Sequence, residues 1–187
     1  MSLQTWQETL ISSSVTGPQV SNTVTQGSIT APAAKLTLPA NFWSVGKTMK
    51  VTAHGDVSCV VTTPGTLLFQ LLFGAVAVYN NAAEAMNLNV VAKVNVAFFL
   101  ELILTCRAIG AAANLMGQGQ FTSHAVVGSP LSTVGGAGTL FVPAATPVVG
   151  SNFDSTVAQV VDLQAKFSVA TSPTNIQVHQ YKIESLN

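Results

Sequence analysis

His54 and Asp56 stand two residues apart in "VTAHGDV". In a strand, positions i and i+2 point the same way, so an imidazole and a carboxylate would share one face and could share a metal ion or a proton. A metal site needs at least a third ligand, and the sequence marks none. Sugar hydrolysis needs paired carboxylates, which would come from Asp56, Glu84, Glu101, Asp154 and Asp162, and no two of these are spaced suggestively. Glu101 lies between Leu100 and Leu102 in an apolar run, where it is expected to pair with Arg107 or Lys93 or to line a polar channel between subunits. A Ser-His-Asp triad can be assembled from distant residues. The nucleophile elbow G-x-S-x-G is missing, since "VVGSP" and "VVGSN" lack the second glycine. "TVGGAGT" is glycine-rich but leads into neither a helical pattern nor Gly-Lys-Ser/Thr, so it does not read as a phosphate loop. Trp6, Trp43, Tyr79 and Tyr181 have the rings to stack on sugars, but they suit a core or an interface better. The expectation is a protein with no catalytic residue, no cofactor and no bound metal.

Composition points the same way. The chain has 187 residues, room for one domain with a full core. Seven basic and seven acidic residues make up only 7% of it, against about 25% in an average soluble domain. A hydrophobic content of 48% argues against disorder. A neutral, charge-poor surface steers neither nucleic acid nor anionic membrane, so neither is expected as a partner. It also offers little repulsion between copies, which suits a protein that packs against itself. The opening residues lack the basic and continuous apolar regions of a secretory signal. Cys59 and Cys106 form no CxxC or zinc spacing and are expected as buried free thiols.

The elements that must carry these residues read as strands. "KTMKVTAHGDVSCVVTT" (47–63) alternates in its first half, with Met49, Val51 and Ala53 facing one way and Lys50 and Thr52 the other. "VAFFLELILTCRAIG" (96–110) sets Phe98, Leu100, Leu102, Leu104 and Cys106 against Phe99, Glu101, Ile103, Thr105 and Arg107. "NLMGQGQFTSHAVV" (114–127) reads as a solvent-touching or edge strand. In "QVVDLQAKFSVA" (159–170), Val161, Leu163, Ala165, Phe167 and Val169 oppose Asp162, Gln164, Lys166 and Ser168. "NIQVHQYKIESL" (175–186) closes the chain as a last strand, and "NAAEAMNLN" (81–89) has room for one short helix. Seven to nine strands with Gly/Pro-rich connectors imply an all-β antiparallel jelly roll or sandwich at 34–187, preceded by an extended N-terminal arm at 1–33. That arm reads either as a frayed terminus or as a segment that grips a partner through Trp6, Leu10 and Ile11.

"TLLFQLLFGAVAVY" (66–79) is too short and too interrupted for a membrane helix and reads as one long strand, or as two strand segments bent at Gly74. Its difficulty is that both faces are apolar: Leu67, Phe69, Leu71 and Phe73 on one, Leu68, Leu72 and Val76 on the other. Phe99 and Ile103 pose the same question further on. Either these outer faces are covered within the chain, or they are a subunit interface, and a trimer is the assembly expected of a jelly roll. The candidate interface residues are therefore Trp6, Leu10, Ile11, Leu68, Leu72, Val76, Phe99 and Ile103.

The strings "LPANFWSVGKTMKVTAHGDVSCVVTTPGTLLFQLLFG", "LILTCRAIG", "LMGQGQFTSHAVVGSP" and "IQVHQYKIESLN" resemble those of small structural proteins from tailed bacteriophages. The resemblance runs from about residue 36 to the end and consists of strands and turns, not of catalytic residues. It implies a jelly-roll virion protein made in the host cytoplasm. Such a protein would be a capsid cement or decoration protein, sitting as homotrimers on the capsid surface and contacting the major capsid protein. The alternative is a head- or tail-fibre module that binds host glycans, with Phe153 the one aromatic in the loops concerned. An enzyme such as a glycan hydrolase is the third reading.

Overall fold

The computed structural model describes residues 6–60, 62–82, 85–128, 139–143, 148–149 and 152–186. Among them are fifteen strands and one 3-10 turn, Pro32–Ala34. The chain starts with β1 (Gln7–Ser13), β2 (Val20–Ser21), β3 (Gly27–Ser28), β4 (Thr37–Leu38) and β5 (Thr48–Cys59). It continues through β6 (Thr66–Phe73), β7 (Val76–Asn80), β8 (Met86–Leu88), β9 (Lys93–Ala108) and β10 (Asn114–Ser123). The last five are β11 (Val126–Gly128), β12 (Thr139–Val142), β13 (Val148–Val149), β14 (Gln159–Phe167) and β15 (Asn175–Leu186). No helix among the described residues is long and apolar enough to cross a membrane.

Two antiparallel sheets result. The front sheet runs β1-β15-β5-β9-β10-β12, with β2 beside β15 and β13 beside β10. The back sheet runs β11-β8-β6-β14-β3, with β4 beside β14 and β7 beside β6. Four antiparallel pairings nest from the chain ends inward: β1 with β15, β3 and β4 with β14, β5 with β9, and β6 with β7 and β8. Alternation of these pairs between the sheets is the jelly-roll arrangement, an all-β sandwich. β10, β12 and β13 widen the front sheet beyond it.

Period-two alternation places the core between the sheets. Met49, Val51, Ala53 and Val57 of β5, and Phe98, Leu100, Leu102, Leu104 and Cys106 of β9, are buried from the front. Leu67, Phe69, Leu71 and Phe73 of β6 and Val161, Leu163, Ala165 and Phe167 of β14 meet them from the back. Phe69, Phe98 and Phe121 pack as a ring cluster with centroids 5.3–6.3 Å apart. Cys59 and Cys106 are free and buried, and burial pushes both thiols above the usual range, so they pack as small hydrophobes.

The bend expected at Gly74 is a full reversal. Gly74 takes φ 59°, open to a glycine without steric cost, and the chain turns back as β7 along β6. The short helix expected at 81–89 is not formed over its second half. Met86 and Leu88 alternate into the core as β8, paired with β6 and β11, which buries them better than one exposed helical turn would. β10 touches solvent but is no edge, because β12 and β13 pair along its far side.

The segment read as an arm lies extended along its own chain from Gln7 onward. β1 adds to the edge of β15, Gly17 N–H donates to Val178 O at 2.8 Å, and Ile29 and Ala31 belong to the common core cluster. Leu10 and Ile11 pack half-buried against that core, while Trp6 is 64% exposed.

Gly55 marks the tightest point between β5 and its neighbours. A Cβ there would stand 1.9 Å from Gln177 O and 2.8 Å from Phe98 Cε1. Gly55→Ala is therefore expected to destabilise the fold by about 1–3 kcal/mol or more, the usual range for overpacking. Chemical denaturation checks this, and an unchanged midpoint would contradict it.

Candidate functional site

Because β5 pairs with β15 on one side and β9 on the other, the outer face of the front sheet is laid out in rows. One row reads Glu184, Lys50, Ile103, Gln118; the next reads Lys182, Thr52, Glu101, Gln120, Phe141; a third reads Gln180, His54, Phe99, Thr122, Thr139. The face has two halves of different chemistry.

Over β9, β10 and β12 it is apolar in patches. Ile103 is 42% and Phe141 69% exposed, and Phe99 is half-buried. A hollow of about 400 Å³ between Ile103 and Phe141 is lined also by Glu101, Met116, Gln118 and Gln120. Four of the charges on this face form one network, while Arg107, farther along the outer face of β9, is exposed. Lys50 Nζ lies 3.4 Å from Glu101 and 3.7 Å from Glu184, and Lys182 Nζ also contacts Glu184. Covering the area around Ile103 and Phe141 would leave these four charges paired, with Arg107 kept at the rim, since burying a lone charge is the costly case.

Over β1, β15 and β5 the face is polar. β15 carries a bulge between Val178 and Gln180, so His179 and Gln180 both project outward before Tyr181 returns to the core. The His179 imidazole is held at both nitrogens: Asp56 accepts from Nε2–H, and the Thr16 hydroxyl stands 3.3 Å from Nδ1. Gln177 Nε2 donates to Gly17 O at 2.9 Å and fixes the same N-terminal turn. Hydroxyl, imidazole and carboxylate in line are the parts of a nucleophilic triad. However, the N–H that follows Thr16, which would help stabilise an oxyanion, already donates to Val178 O. These contacts clasp the N-terminal segment to β15 and β5.

The groups singled out in the sequence are dispersed. His54 and Asp56 do share a face, but His54 packs on the Phe99 ring, centroids 5.0 Å apart, while Asp56 turns to His179. No group of three metal-ligating side chains occurs among the described residues. Glu101 pairs with Lys50, not with Arg107 or Lys93. Those stand six and eight residues along the same strand, roughly 20 Å or more away at about 3.3 Å per residue. Asp162 lies on the other sheet, bound by Ser28 at 2.6 Å and Lys35 at 3.1 Å. Asp154 caps its own turn by accepting from Thr156, which holds its carboxyl below the usual range. Glu84, most of "TVGGAGT" and the Gly-Ser turns at 129 and 151 fall at least partly outside the described residues.

The aromatic residues divide similarly. Trp43, Tyr79 and Tyr181 are core, with burial pushing both phenols upward. Phe153, expected at a loop surface, is fully buried against Trp43 and Phe73. Of the candidate interface residues on the back sheet, Leu68 is 8% exposed, beside a hollow bounded by Val24, Ala82 and Ala85. Leu72 and Val76 are half-buried. Thr16 and Phe141 have no mark in the sequence, and His179 reads there as an ordinary surface or structural histidine. The chain matches no known protein-family model and no curated protein.

Glu184 allows a test of the charged row. Its hydrogen bond with Lys182 chiefly holds the carboxyl below the ordinary value of 4.5, against desolvation, with Gln7 and Lys50 adding to the effect. A depressed folded-state value contributes stability above the unfolded one and loses it as pH falls through the folded one. Stability is expected to fall as the solution is acidified below about pH 4.5, and Glu184→Gln is expected to flatten that fall. Urea midpoints against pH check both; parallel curves for the two proteins would contradict the assignment.

Proposed function

We propose that this chain is a non-enzymatic virion structural protein. In this reading it is a capsid cement or decoration protein that assembles as a homotrimer and bridges subunits of a major capsid protein on the head surface. The observation that carries the reading is the open half of the front sheet, where Phe99, Ile103 and Phe141 stand beside the paired Lys50, Glu101 and Glu184. Each large apolar side chain left in water forgoes about 1.5–3 kcal/mol of burial. A second copy laid on this half recovers that energy at little electrostatic cost. A charge content of 7% lowers the repulsion between copies further. The resemblance in strands and turns to phage structural proteins supports the same assignment.

Contact through the front sheet leaves the ends of the sandwich free for the shell. One end exposes Val90, Val91 and Val94, the other Val45, Ile109 and Val157. Apolar loop tips of this kind suit docking against a protein surface. The mechanism is bridging: a copy bound across two capsid subunits must lose one contact before they separate, so its binding energy adds to the barrier to rupture.

Heads carrying the protein are expected to rupture at a higher temperature or a larger osmotic step than heads without it. Equal thresholds at saturating occupancy would contradict the bridging role.

A further inference from the structure

We propose that the polar half of the front sheet binds a neutral sugar, in the hollow between the N-terminal segment and the bulge of β15. The hollow holds about 700 Å³, within the span of about 300–1,000 Å³ typical of small-ligand sites. Its walls present the hydroxyls of Ser12, Ser14, Thr16 and Thr52 and the imidazoles of His54 and His179.

Three features select the ligand. The first is organisation. The bulge pushes His179 out of the strand's alternation, and Asp56 and Thr16 then fix its ring from both sides. An exposed polar group held so firmly gives up little freedom on binding. The second is charge. Lys182 is matched by Glu184, and Asp56 brings a carboxylate to the side of His179, so no net positive field draws an anion such as phosphate. Hydroxyls both donate and accept, and the ligand that answers a wall of them is a molecule bearing several of its own. The third is the flank. His54 lines this hollow and also the neighbouring one, where it packs on Phe99 beside Ala97 and Thr122. A sugar ring has hydroxyls at its edge and C–H groups on its face, and a polar wall beside a ring pair matches both. The site lies across the sheet from Phe141, and it stands whether or not the chain self-associates.

The test is NMR titration of the full-length protein with free glucose, galactose, mannose and N-acetylglucosamine, with inorganic phosphate as the charged control. At least one sugar is expected to shift the His54 and His179 imidazole signals saturably, with Kd on the order of 1–10 mM, while phosphate shifts neither. Thr52→Val, which removes one wall hydroxyl and leaves the His179 clasp intact, is expected to weaken that binding several-fold with native mass and melting temperature unchanged. No saturable shift with any of the four sugars overturns the proposal. So does a phosphate response as strong as the sugar response, or unaltered sugar affinity in Thr52→Val.

Discussion

Strand β5 is hydrogen-bonded along nearly its whole length to β15 on one side and to β9 on the other. That double ladder is the constraint on which the rest depends. Since side chains alternate, fixing the register of β5 fixes which residues of three strands face inward and which face out. Met49, Val51, Ala53 and Val57 must be core, so Lys50, Thr52, His54 and Asp56 must form the outer rows. The close approach at Gly55 belongs to the same ladder: only a residue without a side chain lets β5 pass the opposing Gln177 carbonyl. The charged row, the His54–Phe99 contact and the His179 clasp all follow from that register.

The two strands that looked apolar on both faces have different explanations. On β6 the outer face is largely covered within the chain, where Leu68 is buried and Asp162, Gln164 and Lys166 supply polar neighbours from β14. On β9 it remains open, with Ile103 and, two strands away, Phe141 exposed. The same sequence signal therefore marks intrachain cover in one sheet and an uncovered surface in the other. Burial distinguishes them, and periodicity does not.

Much of the fold was legible. Strict alternation in 96–107 and 159–167 assigned every inward residue, because a half-buried antiparallel strand leaves a period-two record. Gly74 was legible as a bend because few other residues turn so sharply. Other features were hidden because they depend on which strands become neighbours. Glu101 finds Lys50 across a ladder, a pairing that proximity along the chain does not reveal. Phe153 is drawn into the core by Trp43 and Phe73, although its local sequence reads as loop. The polar hollow had a trace that went unused: in "IQVHQYKIES" the inward positions fall at 176, 178, 181 and 183, and the one interval of three marks the bulge that turns His179 outward. The N-terminal segment, rich in Ser, Thr and Gly, carries too weak an alternation to show that it would line the edge of the last strand.

The account rests on the open half of the front sheet being a contact between copies. Sedimentation of the purified full-length chain across a wide concentration range, beside Ile103→Glu, tests this most directly. The expected result is a trimer for the native sequence and a folded monomer for the variant, because a carboxylate at that position would be buried as the third acidic group sharing Lys50 with Glu101 and Glu184. A native chain that stays monomeric at every concentration, or a trimer that Ile103→Glu leaves intact, would contradict it.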